Sequence, residues 1–205
     1  MILCDIGNTT ADIDDNGARR KISLNAFVPE ELDGEVWFAS VNRSWEERLV
    51  SLPGWNNVRG LIEWGKYYPT MGIDRILVCE ALSSGTIVDA GSAITVDRID
   101  NGIYRGGMIS LGLVSAQEAY ARLSPALEVS FNFEVDLDKM AKNTQDAVTV
   151  GFLAPLITQI RGLGGPLYLT GGDAKILKRY LPEAILREGL VFEGMKKLID
   201  KGAKC

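Results

Sequence analysis

Met1-Ile2-Leu3-Cys4-Asp5-Ile6-Gly7-Asn8-Thr9-Thr10 opens the chain, and its pattern returns as Thr86-Ile87-Val88-Asp89-Ala90-Gly91-Ser92-Ala93. In both copies a short apolar run ends in Asp-x-Gly and then small or polar residues. An apolar run without alternation reads as a buried strand, and the Asp-x-Gly as a tight turn leaving it. The residues beyond each turn repeat as well. Residues 11–14 read as a return strand closed by Asp15-Asn16-Gly17, and residues 94–99 as one closed by Asp100-Asn101-Gly102. Asn-Gly is a strong hairpin signal. Placing Asp5 on Asp89 and Gly7 on Gly91 puts Asn8 on Ser92 and, with one residue inserted, aligns the two Asn-Gly turns. Two related halves are expected, each opening with a strand–tight turn–strand unit.

Outward from these turns, residues 20–25, 35–41 and 57–62 read as strands, and residues 44–51 and 72–82 as helices. In the second half, residues 113–123 have helical apolar spacing. Residues 143–163 form one long helix capped by Asn143 or Thr144. Residues 166–170 are a buried-type strand running into Gly171-Gly172. Helices over 174–180 and 190–201 close the chain. Strands alternating with helices give an α/β class, with lobes expected at 1–84 and 85–205.

Composition narrows the chemistry. The 205 residues are 46% hydrophobic and 24% charged, as in an ordinary globular protein. A net charge of −5 argues against nucleic acid as a partner, because a phosphate backbone needs clustered Lys and Arg. Cys4, Cys79 and Cys205 lie far apart with no C-x-x-C spacing, which suggests reduced thiols in a cytoplasmic protein. No apolar run approaches the ~20 residues needed to span a bilayer, so no membrane association is expected. The chain has no histidine. A Ser-His-Asp triad, a Cys-His pair and a histidine-bearing zinc site are therefore excluded. Acid–base work falls to Asp, Glu, Lys, Tyr or Cys, and a metal would be a hard, oxygen-bound cation.

The turn at Asp5 has two readings. It is an ordinary hairpin of turn-forming residues, or a phosphate loop. In the second reading Gly7 admits a phosphate, Asn8, Thr9 and Thr10 supply donors, and Asp5 holds a magnesium ion through water. The second copy at Asp89 favours the phosphate reading, since two such turns make a clamp for a polyphosphate. Leu169-Thr170-Gly171-Gly172-Asp173-Ala174 adds a strand feeding a bare Gly-Gly turn at a helix start, suited to a nucleobase, ribose or phosphate. Asp74, at the opening of the helical stretch and ahead of residues 75–82, reads as a helix cap.

In this order the three pieces resemble the actin, hexokinase and Hsp70 superfamily, in which two small ribonuclease-H-like lobes each donate a phosphate loop. Gly72-Ile73-Asp74-Arg75, Asp89-Ala90-Gly91-Ser92-Ala93-Ile94-Thr95-Val96-Asp97, Gly106-Gly107-Met108-Ile109 and Thr144-Gln145-Asp146-Ala147 narrow the resemblance to type III pantothenate kinase. That resemblance implies ATP-dependent phosphorylation of pantothenate to 4′-phosphopantothenate, the first step of coenzyme A synthesis. It makes Asp5, Ile6, Gly7, Asn8, Thr9, Thr10, Ala11 and Asp12 the first ATP loop, with Ser92, Gly171 and Gly172 also at ATP. Gly72, Ile73, Asp74 and Arg75 would line the pantothenate pocket with Tyr67 or Tyr68, and Asp74 would be the base. Thr144 would contact substrate, and Asp89 would bind K⁺ or NH₄⁺ alongside Mg²⁺ carried with ATP. A homodimer is also implied. The family usually has Thr where this chain has Ser92, and a Pro-Gly where it has Leu111-Gly112. The same resemblance leaves open a non-catalytic, ATP-binding regulator.

Overall fold

The computed structural model describes residues 1–203, so Cys205 lies outside the described residues. The chain divides into two units. One comprises Met1–Ser83, Gly102–Tyr104 and the described residues from Gly189; the other comprises Ser84–Asn101 and Arg105–Glu188.

The first unit holds β1 (Ile2–Ile6), β2 (Thr10–Asp15), β3 (Ala18–Ser23), β4 (Val36–Ser40) and β5 (Trp55–Asn57) in the order β3-β2-β1-β4-β5. Strand β1 is central and buries Ile2, Leu3, Cys4 and Ile6, as its unbroken apolar run requires. It pairs antiparallel with β2, placing Asp5 opposite Asp12, and parallel with β4, placing Asp5 beside Ala39. Strand β3 lies at the edge and exposes Arg19, Arg20 and Lys21, charges that discourage edge-to-edge pairing. Helices α1 (Arg43–Val50) and α2 (Ile73–Ala81) complete this stretch. Phe27, Phe38, Leu49 and Trp55 fill the core, with the Phe38 and Trp55 rings 5.8 Å apart.

The second unit repeats the plan. Strands β6 (Gly85–Ala90), β7 (Ala93–Asp100) and β8 (Ile103–Leu111), whose first two residues group with the first unit, precede α3 (Leu113–Leu123) and α4 (Thr144–Gly162). Then come β9 (Leu167–Thr170), α5 (Ala174–Leu177) and β10 (Ile185–Leu186). The sheet order β10-β9-β6-β7-β8 is the first sheet's order, reversed in direction, with each strand number raised by five. Strand β6 pairs antiparallel with β7 and parallel with β9, as β1 does with β2 and β4. The Asn-Gly turns match too: Asn16 and Asn101 have φ of 49° and 50°, and Gly17 and Gly102 have φ of 98° and 74°. Positive φ at both central residues is the geometry that joins twisted antiparallel strands. Val88, Ile94, Leu153, Leu169 and Leu177 form this unit's core.

Two elements depart from the sequence reading. The strand expected over residues 57–62 stops at Asn57, whose side-chain oxygen accepts the Arg59 amide at 2.9 Å and turns the chain into a short 3-10 helix. The closing helix, α6 (Leu190–Gly202), groups with the first unit rather than with residues 85–188. Its Lys196 bonds Asp14 of β2 at 3.3 Å, and its Lys197 bonds the carbonyls of Glu80 and Ala81 where α2 ends.

Candidate active site

The first turn is built on the end of β1. The Gly7 amide donates to the Thr10 carbonyl at 2.9 Å, and the Leu24 amide holds the Thr9 carbonyl at 2.9 Å. Asn8 and Thr9 are left exposed. Ile6 and Ala11 are fully buried beneath the turn and anchor it with their side chains. A Cβ on Gly7 would meet the Thr10 carbonyl only at ordinary contact, 3.4 Å. The fold itself therefore leaves room for a side chain at this position. Asp5 and Asp12 share a face of the sheet as directly paired residues, and Lys21 lies 3.2 Å from Asp12.

The Gly72-Ile73-Asp74-Arg75 box forms the start of α2. Gly72, not Asp74, takes the N-cap position, and Asp74 stands in the first turn, where the helix dipole favours an ionised carboxylate. Asp74 Oδ1 accepts the Arg75 amide at 2.9 Å. A Cβ on Gly72 would run into that same oxygen, which gives the G-x-D spacing a local steric cause. Ile73 is buried at 2% exposure and fastens the turn to the core.

Arg75 is only 5% exposed. Its Nη1 donates to the Tyr68 hydroxyl at 2.5 Å and its Nη2 to the Tyr104 hydroxyl at 3.2 Å. The guanidinium also lies 5.8 Å from the Tyr68 ring centre, within cation–π range. The Tyr104 ring packs 5.6 Å from Tyr67 and 6.1 Å from Tyr68. The two candidate tyrosines now differ. Tyr67 donates its hydroxyl to Glu80 at 2.9 Å, and burial together with the Glu80 carboxylate pushes its phenol well above the usual range. Tyr68 is 40% exposed. Sequence reasoning misses Tyr104, since a lone tyrosine on an edge strand carries no motif.

In the second unit the Gly91 amide donates to the Ala93 carbonyl at 3.0 Å, closing the second turn. Register sets Asp89 between Thr95 and Thr170, so one carboxylate and two hydroxyls share a face. Gly171 has φ of +88°, and a Cβ there would strike Asp89 Oδ1 and the Ala90 carbonyl. The Asp173 amide donates to that carbonyl at 2.9 Å. The Gly-Gly turn thus rests directly on the end of β6. From the other side, the Gly112 amide and Ser115 hydroxyl both reach the Ser92 carbonyl at 3.2 Å. Gly91, Ser92, Val114, Ser115 and Asp173 line a cavity of about 300 Å³. Gly172, beside Asp173 in the chain, is exposed. Thr144 is exposed as the first residue of α4, behind an Asn143 cap that accepts the Asp146 amide at 2.9 Å.

Among the described residues no group of three or more Asp, Glu, Cys or His side chains could by itself hold a metal ion. Burial pushes the Cys4 thiol far up, which makes it an inert packing group. No helix among the described residues is long and apolar enough to cross a membrane.

Comparison with known proteins agrees with this geometry. Residues 55–164 match the family model of type III pantothenate kinase. A type III pantothenate kinase of Sulfurimonas denitrificans is 45% identical over the full length of both chains. A solved Campylobacter jejuni structure, described as a conserved Baf family transcriptional activator, superposes with a TM-score of 0.91 at 34% identity, covering all of both chains. A Sinorhizobium meliloti structure described as a 2-dehydro-3-deoxygalactonokinase shares the fold alone, with a TM-score of 0.57 at 10% identity over 99% of this chain and 98% of that one. The sequence match and the built G-x-D-R box together place this chain in the type III pantothenate kinase family, whose members phosphorylate pantothenate in coenzyme A biosynthesis.

Proposed function

We propose that Asp74 is the base of this pantothenate kinase, acting in the cytoplasm on pantothenate and ATP. The observation that carries this reading is the start of α2, where Gly72 clears space for the Asp74 carboxylate and Arg75 is fixed beside it. Asp74 accepts the proton of the pantothenate hydroxyl as its oxygen bonds to the γ-phosphorus. The bond from that phosphorus to the β,γ-bridging oxygen breaks, and ADP leaves. Such a transfer needs positioning and charge neutralisation more than covalent help.

Tyr68, exposed and bonded to Arg75, meets the substrate, while Tyr67 supports it from behind through Glu80. Gly7 lets a phosphate approach the first turn, and the room left beside its Cα supports a requirement imposed from the ligand side. Asn8, Thr9 and Thr10 donate there, and Ser92, Gly171 and Gly172 contact ATP in the second unit.

Magnesium commonly takes one or two protein carboxylates and completes its shell with water and phosphate oxygens. The paired Asp5 and Asp12 fit that demand. Asp5 lies one residue before the end of β1, next to the first turn, and is the carboxylate that would hold the ion, through its water shell. When bound, the ion neutralises the phosphate charge. Asp89, flanked by Thr95 and Thr170, offers hard oxygen donors that fit K⁺ or NH₄⁺. The protein acts as a homodimer, with Thr144 reaching substrate at the subunit contact. Exposed Ile109 and Leu111 on β8 support an apolar surface for a second copy.

The test is ADP release with and without pantothenate, in sodium, potassium or ammonium chloride at equal ionic strength. Release that requires pantothenate and rises with potassium or ammonium is expected, with the salt effect lost in Asp89→Ala. Equal rates in the three salts would remove the cation, and release indifferent to pantothenate would remove the kinase assignment.

A further inference from the structure

The cavity beside the second turn holds one acidic group that the proposed mechanism does not use. Asp173 lines it together with Gly91, Ser92, Val114 and Ser115. Among the described residues no hydrogen bond or ion pair reaches the Asp173 carboxylate, although its residue is partly buried. Its backbone is pinned, because the Asp173 amide bonds the Ala90 carbonyl and the Ile176 amide bonds the Asp173 carbonyl at 3.0 Å. A carboxylate held in place without a partner costs solvation, and burial alone raises its pKa.

The surroundings decide what such a group receives. No cation among the described residues lines the cavity, so a phosphate placed against Asp173 would meet like charge. A metal is equally ill served, since Asp173 is the one carboxylate among the described residues that line the cavity. A hydroxyl donor suits the carboxylate. At about 300 Å³ the cavity lies at the lower end of small-molecule pockets, roughly 300–1,000 Å³, with room for a sugar-sized group. It also shares a wall with Gly91 and Ser92 of the phosphate-binding turn. In a nucleotide, the group attached directly to the phosphates is ribose, and the base lies beyond it. Carboxylates accept ribose hydroxyls in the same manner in dinucleotide-binding folds.

We infer that Asp173 is a specificity residue that accepts the ribose cis-diol of ATP in the cavity formed with Gly91, Ser92, Val114 and Ser115. This rests on the ATP-binding reading of the second turn and adds to it the part of the nucleotide that is recognised. Exposed Val114, 63% accessible, gives the sugar's carbon face an apolar contact.

The experiment compares ATP, 2′-deoxy-ATP, 3′-deoxy-ATP and GTP, with the natural chain and with Asp173→Ala. Both kcat/KM for pantothenate phosphorylation and direct calorimetric nucleotide binding without pantothenate are measured. A hydrogen bond to a charged group corresponds to roughly a tenfold effect or more. Loss of about tenfold on removing a ribose hydroxyl is expected in the natural chain. In Asp173→Ala, ATP should weaken by at least that factor, each deoxy analogue by less, and the preference for ATP over the deoxy analogues should vanish. Indifference of the natural chain to both deoxy analogues overturns the inference, and needs no variant to be folded. So does a variant that keeps the discrimination, or one that instead changes the ATP-to-GTP preference. The binding arm separates the claims: deoxy discrimination in binding with no pantothenate turnover would support the ribose site while removing the kinase reading.

Discussion

Tyr104 accepts a hydrogen bond from Arg75 at 3.2 Å across a sequence separation of 29 residues. With Tyr68 on the other terminal nitrogen, the guanidinium is fixed from two sides by phenol oxygens. An arginine so enclosed has little rotamer freedom left to lose when a substrate arrives. Tyr104 is therefore a positioning residue for Arg75 in the proposed substrate box.

Tyr104→Phe keeps the ring packing and deletes the hydroxyl. One neutral hydrogen bond is worth about 0.5–1.5 kcal/mol, which corresponds to roughly a two- to tenfold effect. The expected outcome is a rise of that size in KM for pantothenate, with kcat within about twofold and the KM for ATP unchanged. Steady-state kinetics check this. A lowered melting temperature with unchanged KM would make Tyr104 a packing residue only.

Gly72→Ala tests the link between the box and its carboxylate. The added methyl runs into Asp74 Oδ1, and the side chain must swing away. Gly72 has an ordinary φ of −61°, so alanine brings no backbone strain. We expect kcat to fall by about 10²-fold, the scale of a misplaced catalytic group, with the melting temperature nearly unchanged. Retained kcat would mean that the Asp74 position tolerates displacement and is not catalytic.

Asp14 makes a pH-dependent contribution to stability. It is 1% exposed and accepts the Gly17 amide at 2.7 Å, with Arg19 and Lys196 each at 3.3 Å. Burial pushes its carboxyl up, but the Gly17 amide, Lys196 and Arg19 outweigh this and hold it below the usual range. A folded pKa below the unfolded one, about 3.9, means stability that is fully present above that value. It is lost as pH falls through the lower folded value. Asp14→Asn should cost about 1–3 kcal/mol at pH 7, with the gap to the natural chain narrowing below about pH 4. Thermal melts from neutral pH down to the acid limb decide it, and a constant gap would refute the linkage.

Much of this is legible in the sequence because it is local. The repeated Asp-x-Gly turns and Asn-Gly hairpins announce two matching sheets, and positive φ at Asn16 and Asn101 shows why those residues sit there. The G-x-D-R box is legible for the same reason: Gly72 and Asp74 constrain one another within a single turn. Tertiary relationships escape such a reading. Nothing in the residues around Tyr104 says that its hydroxyl meets Arg75, and the grouping of α6 with the first unit depends on long-range bonds such as Lys196 to Asp14. The strand expected over 57–62 fails on one side chain, because Asn57 captures a nearby amide and bends the backbone. In the sequence Asp173 is only part of a Gly-Gly loop, since its place in the cavity depends on where α3 packs.

The role proposed for Asp74, taking the proton from the pantothenate hydroxyl, is tested most directly by product formation. The measurement is 4′-phosphopantothenate made from pantothenate and ATP by the natural chain and by Asp74→Asn, alongside ATP binding and a thermal melt of each. Loss of a general base lowers rates by about 10²–10⁴-fold. A fall of that size in product formation, with ATP binding and melting temperature preserved, is the predicted result. Near-natural product formation by Asp74→Asn would contradict it.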